Sequence, residues 1–493
     1  MKPYKILFII LTAIYSLLPA LLYSQVDTAW VRRYDGPSDS TDRAYAIALD
    51  NSGNIYVTGF SISSTSSDYA TIKYNSNGDM IWLSRYDGPA NSADSAQAIT
   101  VDNAGYIYVT GASIGSGTSS DYATIKYNAD GDTLWVSRYN GPGNSVDRTY
   151  AIALDNAGNV YVTGSSYMTS TGNADYVTIK YRSNGDTAWL RSYNGPNSTM
   201  DYAYAIAVDA SGNVFVTGGS YALASAYDYA TIKYDSLGAE QWLQRYNGPG
   251  NGYDYSRAIV LDAQSNVYIT GASTSQTSLV YYDYATIKYN ADGVQQWLQR
   301  YNGPGNYTDD AQAIVLDNSG NVYVTGHSCS GTTLATRDYA TVKYNAFGIE
   351  QWVQRYNGPG NYADYGRAIA VDNSGNVYVT GYSASLSTTP YNYDYATIKY
   401  VQTQGINELM GSGNGELRVS VYPNPARNYL TIRFSQTADH TEIKIFNVTG
   451  NVVKEFKSLG VGELRVSLNG IKNGVYFVKI GEEIVREKLV VTK

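Results

Sequence analysis

All seven tryptophans of the chain fall in one frame, at Trp30, Trp82, Trp135, Trp189, Trp242, Trp297 and Trp352, with gaps of 52, 53, 54, 53, 55 and 55 residues. A fixed period of this size demands a repeat architecture, in which each copy is one supersecondary unit and neighbours bury one another's apolar faces. Two further stretches keep the same beat. "DYATIKY" or a close variant begins at Asp68, Asp121, Asp175, Asp228, Asp283, Asp338 and Asp394, and an "AIALDNSGNIYVTG" type begins at Ala46, Ala98, Ala151, Ala205, Ala258, Ala313 and Ala368.

Each period holds four short runs rich in Val, Ile, Thr and Tyr that alternate at period two, the pattern of a strand. In the first full copy strand a is 46–50, strand b 54–59, strand c 68–74 and strand d 82–86. The a–b link "DNSGN" and the c–d link "NSNG" are tight turns in which Gly supplies a positive φ. Ser265 stands in place of that Gly in "DAQSN" and is expected to cost up to about 1 kcal/mol if left-handed. Across a four-residue c–d turn, Tyr74 faces Asp79 and Asp68 lies opposite Arg85. The same count pairs Asp121 with Arg138, Asp228 with Arg245, Asp283 with Arg300 and Asp338 with Arg355, while Asp175 meets Ser192.

Four antiparallel strands per period make a propeller blade. The array starts with a lone d strand, "WVRRY" at 30–34, and ends after strand c at Tyr400. Each end lacks what the other supplies, which predicts an all-β, seven-bladed β-propeller closed by the N-terminal strand, with Arg33 serving Asp394. An open solenoid would need polar capping repeats instead. "AIAVDNSGNVYVTG" at 368–381 and its six siblings resemble the bacterial seven-bladed β-propeller (SBBP) repeat family. That resemblance implies the propeller fold over residues 25–401 and leaves the function open.

Composition shifts after Tyr400: only Glu240 and Glu350 precede residue 402, and every other Glu follows it. Residues 402–415 are polar and Gly-rich, a linker. Seven short strand signals follow over 416–493, which predicts a small Ig-like β-sandwich. "YPNPARNYLTIRF" (422–434), "IKIFNVTGNVVKEF" (443–456), "NGVYFVKI" (473–480) and the basic end "KLVVTK" resemble the C-terminal sorting domain of type IX secretion. The resemblance implies passage across an outer membrane with the type IX machinery as partner. At the other end, Lys2, Lys5 and the apolar run Ile6–Leu22 read as a secretory signal peptide over residues 1–24. Together these place the mature protein outside the cell, secreted or on the surface, without an integral membrane span.

Charge and chemistry narrow the function. Net charge is −8, so the basic footprint of a nucleic-acid binder is missing. Cys329 is the single cysteine, so no intrachain disulfide forms. Lys73, Lys126, Lys180, Lys233, Lys288, Lys343 and Lys399 take one place in each strand c and read as framework, with the acid closing strand a, such as Asp50, as partner. Asp42, Asp94, Asp147, Asp201, Asp254, Asp309 and Asp364 each precede strand a by four residues, and each is expected to tie its own loop through backbone NH groups, with a ring of cation ligands as the rival reading. His327 and Cys329 in "TGHSCSG" read as a mobile surface loop, with a nucleophile–base pair as the rival. No catalytic residue, metal site or cofactor is expected.

The remaining candidates are aromatic. Strand direction puts the b–c and d–a loops on one side, and the b–c loops of the last three copies (272–282, 327–337 and 382–393) are longest. They and the d–a loops carry Tyr253, Tyr255, Tyr281, Tyr282, Tyr307, Tyr362, Tyr365, Tyr391 and Tyr393. Exposed Tyr offers an apolar face and a hydroxyl, which suits a glycan or a surface protein. The expected function is an exported, non-catalytic binding or scaffold propeller. The alternatives are an extracellular polysaccharide hydrolase or lyase, and a structural coat or matrix component.

Overall fold

Residues with β-branched and aromatic side chains at period two form strands throughout the chain. The computed structural model describes residues 32–38, 40–63, 66–170, 172–275, 281–384, 393–401, 419–422, 429–447, 451–480 and 483–491. The expected signal peptide and linker, with Trp30 and Tyr391, lie outside the described residues.

The first sheet runs β1 (Asp42–Leu49), β2 (Ile55–Ser63), β3 (Ser66–Tyr74) and β4 (Met80–Tyr86), in that spatial order and antiparallel throughout. These are strands a to d. Five more four-stranded sheets repeat the order, and a seventh holds three strands, Asp364–Val371, Val377–Ala384 and Tyr393–Tyr400. The chain packs as two compact units. The first runs to Val109 and adds Ser113–Ser116 and Ile125–Val136; the second holds Thr110–Ala112, Gly117–Thr124 and everything from Ser137.

The c–d register differs from the expected one. The turn closes over five residues, with Asn75 N donating to Asp79 O, so Tyr74 faces Met80. A bulge then shifts the ladder again, and Arg85 lies opposite Ala70. Asp68 is therefore diagonal to Arg85, two residues along, which a long side chain still spans. All five expected pairs form: Arg85–Asp68 at 3.0 Å, Arg138–Asp121 at 2.9 Å, Arg245–Asp228 at 2.8 Å, Arg300–Asp283 at 3.0 Å and Arg355–Asp338 at 2.9 Å. The side chain of Asp394 lies outside the described residues.

The abundance of Tyr over Phe has a physical cause. Tyr122, Tyr176, Tyr229 and Tyr284 are fully buried, and their hydroxyls donate to Val177 O, Ala230 O, Ala285 O and Ala340 O in the following sheet. A buried ring thus fills the space between sheets while its polar tip finds an acceptor. Trp does the same at the other end: Trp242 Nε1 donates to Ala291 O, and the Trp ring lies so close to Gly293 that a Cβ there would stand 2.8 Å from it. Gly293 has φ +82, so both the turn and the ring require glycine.

The lone N-terminal segment shows no strand over residues 32–36. It still makes the contacts of a d strand. Arg32 Nε donates to Gly78 O and Tyr34 accepts from Arg85 Nη1, as Arg191 Nε donates to Gly238 O and Tyr193 accepts from Arg245 Nη1.

The C-terminal segment forms one five-stranded sheet: Val419–Tyr422, Tyr429–Asn447, Val452–Ser467, Gly474–Ile480 and Glu483–Val491. Two pairs of expected short strands merge into the long second and third ones. Leu430, Ile432, Ile443, Ile445, Val466 and Val478 share one core.

Candidate ligand-binding site

Most residues that repeat in every copy are consumed by the framework. Asp254 Oδ2 accepts from Gly248 N at 2.6 Å and Oδ1 from Thr274 N at 2.8 Å. Asp94, Asp147, Asp201, Asp309 and Asp364 repeat this geometry, so these aspartates tie their own loops. Burial raises them, Asp254 and Asp309 to about 6. Asp50 accepts from Ser52 N, Asn54 N, Asn54 Nδ2 and the Tyr56 hydroxyl, a closed turn without a free oxygen pair for a cation. Each strand-c lysine also lies over a ring of strand b, a partner the sequence did not suggest. Lys73 Nζ donates to Ala129 O in the following sheet and lies 5.3 Å from the Tyr56 ring centre, and Lys180 lies 3.8 Å from its expected acid, Asp155. A carbonyl and a ring face satisfy the ammonium at less desolvation than a buried ion pair.

His327 and Cys329 do not lie in a mobile loop. They end strand b of the sixth sheet, Val322–Cys329, and both are buried. The ladder runs further than the apolar pattern suggests, because Ser, Gly and Cys backbones pair as readily as those of Val. The same extension moves the candidate tyrosines. Tyr255 and Tyr365 stand in a strands, Asp254–Leu261 and Asp364–Val371, and Tyr282 and Tyr393 in c strands, Tyr282–Tyr289 and Tyr393–Tyr400. Tyr253, Tyr281, Tyr307 and Tyr362 remain in loops and are half-buried.

The structure brings several of these into one cluster on the fourth to seventh sheets. Tyr253 and Tyr255 stack at 6.2 Å and 6°, and Tyr227 packs on Tyr255 at 5.0 Å. Tyr365 packs on Tyr382 at 4.7 Å. Tyr281 meets Tyr307 edge-on at 5.0 Å.

Three arginines that the sequence reading did not single out stand among these rings. Arg257 lies over Tyr204 and Tyr255, at 5.2 and 5.5 Å, with Nη2 3.9 Å from Asp310 Oδ2. Arg337 Nη1 donates to the Tyr365 hydroxyl at 2.8 Å. Arg367 donates to Gln312 Oε1 at 3.0 Å and to the Tyr382 hydroxyl at 2.8 Å. His327 meets Tyr365 edge-on at 5.0 Å. Burial raises Asp310 against the pull of all three arginines, and burial together with the same arginines holds His327 well below its usual range, as neutral imidazole. Four buried polar atoms of this cluster have no partner: Arg257 Nε, Arg337 Nε, Asp310 Oδ1 and His327 Nδ1. Unsatisfied polar atoms converging on half-exposed rings are the mark of a site built for something else to complete.

A signal for this cluster was present. At the second position of strand a the copies read Arg43, Ser95, Arg148, Tyr202, Tyr255, Asp310 and Tyr365, and at the fourth Tyr45, Gln97, Tyr150, Tyr204, Arg257, Gln312 and Arg367. Positions that differ between copies inside an otherwise uniform strand are the ones that the framework does not need.

The description "Beta-propeller repeat" (SBBP) fits residues 29–64, 134–169, 296–330 and 351–386, and "Secretion system C-terminal sorting domain" fits residues 420–492. This chain carries SBBP β-propeller repeats and a type IX sorting domain. The matched segments 134–169, 296–330 and 351–386 each run from a Trp strand through the d–a loop into strands a and b, so the family unit joins one sheet to the next. The sorting domain marks export by type IX secretion, to the cell surface or beyond, and no helix among the described residues is long and apolar enough to cross a membrane. No curated protein matches this chain. Among solved structures it is similar to PorZ, a surface component of the type IX secretion system of Porphyromonas gingivalis, at 15% identity and TM-score 0.41, over 94% of this chain and 61% of that one. The chain thus spans about three fifths of the length of PorZ. It is also similar to Chaetomium thermophilum Sqt1 bound to the N-terminus of ribosomal protein L10 (11% identity, TM-score 0.43, 84% of this chain and 88% of that one) and to the polysaccharide lyase Uly1 (12%, 0.42, 75% and 91%).

Proposed function

We propose that the exported chain is a non-catalytic binding protein that recognises an acidic glycan through the arginine–tyrosine cluster of its fourth to seventh sheets. One observation carries this reading: in a chain of net charge −8, Arg257, Arg337 and Arg367 converge among tyrosine rings with polar atoms left unpaired. Planar guanidinium groups match carboxylate or sulfate oxygens, and aromatic faces stack on sugar rings. The domains follow the sequence boundaries: a signal peptide over 1–24, the propeller over 25–401, a linker and a sorting domain over 416–493. We read the seven sheets as a closed ring with 30–34 as the seventh sheet's fourth strand, because Arg32 and Tyr34 repeat on the first sheet the contacts that Arg191 and Tyr193 make on the fourth. The shared core of the two halves of strand Tyr429–Asn447 supports a folded-over sandwich in the tail.

A glycan array with the mature chain tests the ligand. Uronate-containing or sulfated glycans should bind, and Arg257→Gln with Arg367→Gln should abolish binding while the protein stays folded. Equal binding of neutral glycans by parent and double variant would defeat the reading. A second reading is a uronate lyase, favoured by the neutral His327 beside Tyr365 and three arginines. Release of unsaturated uronate ends from a uronate polysaccharide, lost in His327→Gln, would establish it in place of pure binding.

A further inference from the structure

Five sheets share one staple. In the fifth, Arg300 at the end of strand d donates to Asp283 Oδ2 at 3.0 Å, to Ser273 Oγ and O at 2.6 and 2.9 Å, and to the hydroxyl of Tyr246 in the preceding sheet at 2.7 Å. Arg85, Arg245 and Arg355 make the same four contacts. Arg138 reaches Asp121 in the same way. The guanidinium thus fills a pocket of one carboxylate, one Ser hydroxyl, one carbonyl and one phenol.

The third sheet has the pocket without the cation. Its d strand reads "WLRSY" at 189–193 where the first reads "WLSRY" at 82–86, so Arg and Ser are transposed. Successive side chains of a strand point to opposite faces. The shift by one residue therefore sends Arg191 away, and its Nε donates to Gly238 O of the following sheet at 2.6 Å. Ser192 stands at the arginine's position and is exposed. Behind it Asp175 is 5% exposed, and no ion pair to it is found among the described residues, whereas its counterparts Asp121, Asp228 and Asp283 each hold an arginine on Oδ2. Ser166 is fully buried, and its Oγ lies beside the Tyr139 hydroxyl and the Asp147 carboxylate without a well-formed bond to either. The charge that acts on Asp175 is another carboxylate, Asp201, and with burial it pushes Asp175 up to about 7.

We propose that the pocket formed by Asp175, Ser166 and Tyr139 binds a guanidinium group supplied from outside the chain. The acceptors are those that hold an arginine in the sister sheets, the chain's own Arg191 is committed elsewhere, and the exposed Ser192 leaves the arginine's route of entry open. A guanidinium fits where an ammonium does not, because two of its nitrogens reach four acceptors in a fixed plane. The source is an arginine side chain of a partner polypeptide or a small guanidino compound. This site is separate from the cluster of the fourth to seventh sheets and stands whether or not that cluster binds glycan.

Titration calorimetry and thermal melting of the full-length mature chain test it with three probes: methylguanidinium, methylammonium, and a blocked Gly-Gly-Arg-Gly-Gly peptide beside its citrulline twin. The parent should bind methylguanidinium saturably, at least about tenfold tighter than methylammonium, with a rise in melting temperature. Ser192→Arg should raise the melting temperature without ligand and abolish the response, since the new side chain occupies the pocket. Asp175→Asn should abolish the response. Binding of the arginine peptide but not the citrulline twin assigns the site to a partner polypeptide, and binding of methylguanidinium alone assigns it to a small compound. The proposal is overturned if the parent binds neither, if methylammonium binds as well, or if folded Ser192→Arg responds like the parent.

Discussion

The hydroxyl of Tyr193 accepts a hydrogen bond from Arg245 Nη1 at 2.8 Å, although the two residues belong to neighbouring sheets. Arg245 also pairs with Asp228, whose side chain is only 8% exposed against 23% for the arginine. The pair is thus more buried than the sequence suggested. Exposed pairs contribute about 0.2 to 1 kcal/mol, whereas removing one partner of a buried pair costs about 3 to 5 kcal/mol. Arg245→Ala should approach the latter, because Asp228, Ser220 and Tyr193 all lose their donor. Tyr193→Phe should cost about 1.5 to 3 kcal/mol. By contrast Arg32 and Asp79, 3.9 Å apart and well exposed, should give less than about 1 kcal/mol on Asp79→Ala. Urea unfolding of the three variants checks the order, and equal losses would show that the staple is not what joins the sheets.

Two departures from the repeat compensate each other. Where the other described sheets place a Tyr hydroxyl on the a–b aspartate, Phe215 has none to offer. Ser265, left-handed at φ 59, donates its Oγ to Asp209 Oδ2 from the following sheet at 2.9 Å instead. Ser265→Gly alone should be close to neutral, since about 1 kcal/mol of backbone strain is exchanged for a hydrogen bond of about the same size. With Phe215→Tyr in place the same change should stabilise by about 1 kcal/mol. A double-mutant cycle by urea unfolding should therefore show coupling, and strict additivity would contradict the compensation.

The first Asx turn and the last share one letter pattern, and so the framework was legible: a strand that must be written seven times leaves its period in Trp, Lys and Asp. Register was harder to read. Whether Tyr74 meets Asp79 or Met80 depends on one bulge, and no residue type marks it. Burial of His327 escaped for a related reason, since Gly326, Ser328 and Cys329 look like a loop and yet continue a ladder that Val322 and Val324 begin. The arginine–tyrosine cluster was missed because it is spread over four copies. Arg257, Asp310, Arg337 and Arg367 are far apart in the chain, and only the repeated sheet geometry brings the variable positions together.

Stability should fall as pH rises from about 4 to 7. Asp175 is raised to about 7, and Asp254 and Asp309 to about 6, against a usual value near 3.9. Between about pH 4 and 7 the folded chain then holds protons that the unfolded chain has released, so each of these groups loses stability as it ionises. For Asp50, Asp155, Asp209 and Asp317 burial is outweighed by donated hydrogen bonds, their values are lowered, and their stabilisation is lost only below about pH 4. Asp175→Asn isolates one group. It should match the parent near pH 4 and exceed it by about 1 to 3 kcal/mol at pH 8, because the variant has no charge to bury. Melting curves at both pH values check this, and a gap that does not widen with pH would refute the assignment.

Deleting residues 416–493 should leave the propeller folded and stop export past the outer membrane, since the sorting domain matches 420–492 and its core of Leu430, Ile443 and Val478 is its own. Cell fractionation checks it, and truncated cargo on the surface in normal amount would count against a sorting role for the tail.

Removing residues 26–36 should harm the propeller more than any single staple. Tyr34 is the phenol on which Arg85 rests at 3.1 Å, so the first sheet would lose the contact that Tyr193, Tyr246 and Tyr301 provide elsewhere. Arg32 would no longer cap the turn at Gly78 and Asn77. In a closed ring the deletion also leaves strand Tyr393–Tyr400 as an open edge, with backbone donors and acceptors free to pair with another chain. The truncated protein should therefore aggregate or melt far below the parent. Size-exclusion chromatography and a melting curve decide it, and a monomer that melts within a few degrees of the parent would mean that the N-terminal strand does not close the ring.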